Sequence, residues 1–157
     1  MQQFKYNSPL GPLFLVANPK GLCGVYFDQQ SFEVVKSLSQ QNESHQVVLK
    51  AVAQLTEYFN GERQSFDLPI DVKGTGFQKQ VWTALTKIPY GKTKSYREIA
   101  LEIKNPKAFR AVGTANGKNP LGIIVPCHRV IAADGTLGGY AGGLDKKKHL
   151  LELERGI

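Results

Sequence analysis

At 157 residues, 41 % of them hydrophobic, the chain can bury the core of one ordinary domain or of two small ones sharing an interface. No apolar run approaches the ~20 residues of a membrane span, the opening Met-Gln-Gln-Phe-Lys-Tyr lacks a signal-peptide pattern, and the two cysteines and three histidines show no zinc-ligand spacing. These features argue against a membrane protein, a disulfide scaffold and a metalloenzyme, and they predict a cytoplasmic protein with no metal and no cofactor. The formal charge of +7 is unevenly placed, at −1 over residues 1–75 and +8 over residues 76–157, so the second half is the part that favours a polyanionic partner.

Residues 1–28 read as strands with tight turns. Phe4 and Tyr6 alternate with Lys5, Ser8-Pro9-Leu10-Gly11-Pro12 is a turn cluster, and Leu13–Ala17 is a strand. Asn18-Pro19-Lys20-Gly21 closes a hairpin whose return strand, Leu22–Phe27, holds Cys23 as a small core residue. The polar stretch 31–45 predicts a short helix and a loose loop. Val48, Val52, Leu55 and Phe59 recur at helical spacing over 46–59, and Gly61 stops that helix. Ser65–Ile70 reads as another strand, and Asp71–Gly76, with two glycines and no periodicity, as a linker.

The second unit opens with a helix whose apolar face is Phe77, Val81, Trp82, Leu85 and Ile88. Ser95, with Glu98 three residues on, is a capping box for a helix over 96–103. Asn105-Pro106 predicts the cap and first turn of a second helix, with Phe109 and Val112 facing inward, so the pair reads as a helix-turn-helix. Its outer face is expected to carry Arg110, Ala111, Thr114 and Ala115, small residues around one long cation. That set suits close approach to a phosphate backbone more than base readout. Lys146–Leu153 predicts a final helix, with Leu150 and Leu153 inward and lysines 146–148 as a solvated face.

Between these helices lies Gly122-Ile123-Ile124-Val125-Pro126-Cys127-His128-Arg129-Val130-Ile131. Ile123–Val125 reads as a short buried strand that Pro126 terminates. Cys127 then sits where strand meets turn, beside two potential cations, and a thiol near positive charge ionises more readily. The glycine-rich run Gly138-Gly139-Tyr140-Ala141-Gly142-Gly143 allows backbone to approach a ligand closely.

Pro126-Cys127-His128-Arg129-Val130 resembles the active-site signature of the O6-alkylguanine-DNA alkyltransferases. Further matching pieces are Ser95-Tyr96, Asn105–Gly113, Asn119-Pro120, Gly139–Leu144 and Glu154. The match is close over about residues 76–156 and general before that. It implies an α/β fold of α+β type: a small ribonuclease-H-like sheet-plus-helix domain at 1–73, then a mostly helical domain at 74–157 with the helix-turn-helix and a short strand carrying the cysteine. It also implies direct-reversal repair, with an alkyl group moving irreversibly from O6 of guanine, and from O4 of thymine, to Cys127.

The resemblance casts His128 as base through a water, Glu154 as its orienting carboxylate, and Tyr96 as a donor to guanine N3. Asn119 bridges the helix-turn-helix to the reactive segment. Val130, Tyr140, Ala141 and Asn119, with Tyr96, line the base pocket, and the carbonyls of Cys127 and Val130 accept from the guanine amino group. Ser95 and Lys107 join Arg110, Ala111, Thr114 and Ala115 in contacting the minor groove of double-stranded DNA, with Arg110 entering the base stack. No obligate protein partner is implied. Ala141 departs from a frequent family serine, which removes a hydroxyl contact but leaves a backbone donor. Nothing in the sequence would take an alkyl group back off a thioether, so each molecule is expected to act once. The alternative is a non-catalytic alkylguanine-binding relative, a class that typically has tryptophan where Cys127 stands. A helix-turn-helix regulator explains the charge but not Pro126-Cys127-His128, and a cysteine hydrolase lacks an evident asparagine or aspartate partner.

Overall fold

The computed structural model describes residues 1–156, and the chain forms two compact units, Met1–Lys73 and Gly74–Ile157. In the first, β1 (Gln2–Ser8), β2 (Gly11–Asn18) and β3 (Gly21–Tyr26) make an antiparallel meander in the order β1-β2-β3. Central strand β2 is buried from Leu13 through Ala17, on both faces, as its unbroken apolar run requires. Helix α1 (Glu43–Phe59) packs on the sheet through Val47, Val48, Ala51, Leu55 and Tyr58.

Two expectations change here. No helix precedes α1. The segment before it is irregular, with one parallel bridge from Val34 to Gln3, and is pinned by Gln3, whose buried side chain donates to Gln30 O and Phe32 O and accepts from Gln30 N. Helix α1 itself starts at Glu43, because the Asn42 side chain caps Ser44 N and His45 N. Residues 65–70 form no named strand. They make one parallel bridge, Leu22 to Ile70, and are tied to α1 by the reciprocal bonds of Gln54 with the Asp67 backbone.

The second unit begins with α2 (Gly76–Thr86), entered through a Thr75–Gln78 capping box. Val81, Trp82 and Leu85 are buried on its inner face. Helix α3 (Tyr96–Glu102) starts at the Ser95–Glu98 capping box. Helix α4 (Phe109–Gly117) starts later than Asn105-Pro106 suggests. Residues 105–108 form a turn closed by Ala108 N donating to Asn105 O, and α4 has Ala108 at its cap position with no side-chain cap. The left-handed Lys104 (φ 60°) redirects the chain so that a turn, not a capped helix, follows. Trp82 locks α2 to the end of α4: its Nε1 donates to Ala115 O at 2.8 Å, fully buried. Helix α5 (Leu144–Arg155) closes the unit with Lys147, Leu150, Leu151 and Glu154 inward. Leu151, not Leu153, completes the apolar stripe, at the i+4 position from Lys147.

No helix among the described residues is long and apolar enough to cross a membrane. Replacing Trp82 by Phe keeps most of the buried ring and removes the bond to Ala115. We expect a loss of about 1–2 kcal/mol in the denaturant midpoint followed by circular dichroism. A change below a few tenths would show that the bond does not hold α2 to α4.

Candidate active site

The segment leading to Cys127 is not a strand. Residues 122–125 form a tight turn in which Ile123 takes a left-handed conformation (φ 71°), Ile124 N donates to Gly122 O, and Val125 N to Leu121 O. Cys127–Arg129 is one turn of 3-10 helix. The strand character comes just after, in β5 (Val130–Ile131), which pairs in parallel with β4 (Lys94–Ser95). Apolar β-branched residues suit a buried turn here because Asn119 supplies the polar partners that a sheet would have supplied. Its Nδ2 donates to Val125 O at 2.8 Å and to Leu121 O at 3.3 Å, and its Oδ1 accepts from Leu121 N at 3.0 Å.

The pair β4–β5 brings Cys127 and Tyr96 together, since Tyr96 follows β4 directly and Cys127 lies just before β5. The Tyr96 ring rests between α4, at Gly113, and the glycine loop, at Gly138. A Cβ on Gly138 would sit 2.9 Å from the Tyr96 hydroxyl, and its φ is +70°, so only glycine fits. Burial, followed by the nearby Cys127, pushes the Tyr96 phenol up, which keeps it a proton donor.

Cys127 is 7 % exposed. Burial dominates its titration and pushes the thiol up; the Asn119 amide and the Lys147 ammonium pull the other way. His128 is fully buried, and desolvation pulls its imidazole down against the opposing pull of Glu154. At neutral pH the resting pair is therefore thiol and neutral imidazole, not the thiolate that the adjacent cations suggested. His128 Nε2 bonds Glu154 Oε2 at 2.7 Å, and its Nδ1 is buried with no partner among the described residues, so it can accept a proton. Arg129 does not face the sulfur. It grips Glu154 with two bonds, Nε to Oε1 at 2.8 Å and Nη2 to Oε2 at 3.0 Å, and donates from Nη1 to Ile88 O.

Lys147 is the larger correction. Instead of joining a solvated face it is 0 % exposed, and its Nζ donates to Val130 O at 2.6 Å and Gly139 O at 3.1 Å. Desolvation pulls its ammonium down to about 8. It latches the glycine loop to the reactive segment and places a positive charge near Cys127. The signal was present in the sequence: Lys147, Leu150, Leu151 and Glu154 share the i, i+3, i+4, i+7 face of α5.

Of the residues expected at DNA, Arg110, Ala111, Thr114 and Lys107 are exposed. Arg110 and Arg97 both lie near the Phe109 ring, with guanidinium carbons 5.9 Å and 4.3 Å from its centroid. Ala115 is not on this face. It is buried with Val112 and Asn116, because the inner stripe of α4 runs 112, 115, 116. The Ser95 side chain is committed to the cap of α3. Tyr140 is half-buried with its hydroxyl shielded, and Ala141 is exposed. Two buried groups near Cys127, Lys147 and Asn116, were missed. Among the described residues no group of three or more His, Cys, Asp or Glu could hold a metal ion.

Glu154→Gln leaves Arg129 charged in a buried site and removes the anion that favours imidazolium. We expect about 3–5 kcal/mol lower stability, an upward shift of the Cys127 alkylation-rate midpoint against pH, and transfer at least ~10²-fold slower. An unchanged alkylation profile in folded variant would reduce Glu154 to a structural anchor for Arg129.

The chain matches the family model of the 6-O-methylguanine DNA methyltransferase ribonuclease-like domain over residues 3–72 and that of the DNA binding domain over residues 76–156. It is 51 % identical to the methylated-DNA--protein-cysteine methyltransferase of Methanosarcina acetivorans over 95 % of both chains. Identity to the protein of that name from Mycobacterium tuberculosis is 49 %, over 95 % of this chain and 89 % of the relative. The crystal structure of Mycobacterium tuberculosis OGT in complex with DNA superposes with a TM-score of 0.87 at 46 % identity, covering 99 % of this chain and 94 % of that one. An O6-methylguanine DNA methyltransferase from Methanococcus jannaschii superposes with a TM-score of 0.66 at 31 % identity, over 92 % and 88 %. The chain therefore belongs to the 6-O-methylguanine DNA methyltransferase family.

Proposed function

We propose that this protein repairs alkylated DNA by direct reversal, moving one alkyl group from O6 of guanine to the sulfur of Cys127. The observation that carries the reading is the buried His128–Glu154 pair directly after the buried Cys127, in which one imidazole nitrogen is held by the carboxylate and the other has no partner among the described residues. Relatives about half identical to this chain are named methylated-DNA--protein-cysteine methyltransferases. The non-catalytic alternative loses ground because that class typically has tryptophan where Cys127 stands.

In the step itself, the Cys127 proton passes to His128 Nδ1 through a water, and Glu154 stabilises the imidazolium that forms. The thiolate attacks the alkyl carbon. The S–C bond forms as the C–O6 bond breaks, and the bond's electron pair moves into the purine, whose N1 takes up a proton from solvent as His128 gives its own back to solvent, leaving normal guanine. Tyr96 relieves the charge that develops on the leaving base by donating to N3. Because the resting sulfur is a thiol, the thiolate arises only through that proton transfer, which limits side reactions of the nucleophile. A thioether has no leaving group that this site can activate, so the protein is spent after one event.

DNA is the partner, and the charge of the second unit suits it. We assign the exposed face of α4, with Arg110, Ala111 and Thr114, and the nearby Lys107, to the minor groove. The base must leave the duplex to reach a buried sulfur. The small residues on α4 let the helix approach, and Arg110 fills the space the base leaves.

Two measurements test this. Intact mass after incubation with an oligonucleotide containing O6-methylguanine should show one added methyl group per protein, mapped to Cys127. Cys127→Ala should bind the DNA but gain nothing. Repeated turnover, or label on Cys23, would overturn the reading. Separately, Arg110→Ala should slow single-turnover repair of duplex at saturating DNA by about 10–10²-fold, given an extrusion cost of a few kcal/mol, and react near normally with free O6-benzylguanine. A cation that only binds phosphate would instead weaken affinity and lower the salt slope by about one unit, leaving the saturated rate intact.

A further inference from the structure

The first turn of α3 lies along one edge of α4. The Tyr96 ring meets α4 at Gly113, whose Cβ position is 3.7 Å from Cδ1. One turn earlier on α4, Phe109 meets the next residue of α3, with the Arg97 guanidinium carbon 4.3 Å from the centre of its ring. Phe109 is half-buried and Arg97 is exposed. Arg110 follows Phe109 on the exposed face, and its guanidinium carbon is 5.9 Å from the same centre. Two cations thus share one aromatic ring where α3 joins the face assigned to DNA.

The two are not equivalent. A ring attracts a cation within about 6 Å of its centroid. Arg97 sits well inside that range and Arg110 at its limit, so the ring restrains Arg97 and leaves Arg110 loose. No carboxylate among the described residues pairs with either guanidinium. The two acids of α3 are committed elsewhere: Glu98 Oε1 accepts from Ser95 N in the cap, and Glu102 pairs with Lys94. Arg97 is therefore a flat, permanently charged fork, already held in place, with no acceptor for its N–H groups among the described residues. Holding a long side chain beforehand lowers the ordering cost of a later contact. On a surface that meets DNA, the anion that matches such a fork is a backbone phosphate, which a guanidinium grips with two parallel bonds.

We propose that Arg97, held on the Phe109 ring, is a phosphate clamp that grips the backbone of the alkylated strand next to the extruded nucleotide. The inference rests on the functional reading above, which sets Tyr96 against the extruded base and Arg110 in the gap that base leaves. Arg97 follows Tyr96 directly, so the phosphate it reaches belongs to the strand that Tyr96 meets. Phe109 precedes Arg110 directly, so the ring ties the clamp to the residue that enters the stack. Arg97 stays on the ring and binds backbone, while Arg110 is free to leave it.

The test is single-turnover transfer from duplexes containing O6-methylguanine, with the rate followed against duplex concentration. One backbone phosphate at a time is replaced by a neutral methylphosphonate, along either strand. In wild type, one position beside the lesion on its own strand should raise the half-saturating concentration about tenfold, the effect of losing a charged hydrogen-bond partner. Arg97→Ala should raise it about as much on the natural duplex and lower the salt slope by about one unit. The methylphosphonate at that position should then cost the variant nothing more, while every other position costs it what it costs wild type. Arg97→Gln keeps a flat group for the ring without the charge and should behave as Arg97→Ala does, which separates the charge from the packing. Unchanged half-saturation and salt slope in Arg97→Ala overturn the proposal and leave Arg97 as a cover for Phe109. So does a variant that stays sensitive at every position, or one that loses sensitivity only on the opposite strand. A wild type indifferent to every methylphosphonate beside the lesion overturns it whether or not any variant folds. If wild type gains no methyl group on Cys127, the functional reading itself fails; transfer without the coupling sinks only the role of Arg97.

Discussion

The carboxylate of Glu154 is the constraint on which the reactive part of this protein depends. It is a buried anion placed between a neutral imidazole and a permanent cation, and each neighbour answers a different need. Arg129 meets the cost of burying a charge, with a two-pronged bond and its third donor on a helix-end carbonyl. His128 uses what remains of the field, so that an imidazolium has somewhere to be stable once it forms. The same charge cannot serve both roles without Arg129, since an anion paired with His128 alone would be stable only when the ring was protonated. Helix α5 thus supplies two opposite buried charges to one site, Glu154 to the proton acceptor and Lys147 to the loop and the sulfur.

Burial sets the chemistry of that site more than the nearby charges do. Counting cations beside Cys127 in the chain suggests a thiolate, yet Arg129 spends its charge on Glu154, and desolvation dominates both the thiol and the imidazole. Cys127 therefore rests in its protonated form. This is a safer resting state for a group that can be used once.

Much of the fold was legible because it rests on local rules. The capping box at Ser95, the apolar face of α2 and the hairpin punctuation at Asn18–Gly21 are short-range patterns. What was not legible depends on side-chain partners and backbone conformations that residue type alone does not announce. Ile123–Val125 has the composition of a strand but turns, since Asn119 satisfies its carbonyls. Asn105-Pro106 has a helix-start pattern, but the left-handed Lys104 diverts it. Ala115 belongs to the inner stripe because it follows Val112 by three residues on α4, once that helix starts at Phe109. In the site, Cys127, His128 and Tyr96 came from motif and resemblance. Lys147 and Asn116 escaped because a lysine among lysines and an asparagine before a glycine look like surface.

Trp82 has one more consequence. It is the chain's single tryptophan, its ring is buried, and its indole N–H is fixed to the last turn of α4 at Ala115, between the exposed Thr114 and the buried Asn116. Indole emission responds to the polarity and hydrogen bonding around the ring. The protein therefore carries one intrinsic optical probe where α4 meets α2, so movement of α4 is visible in the unlabelled native chain.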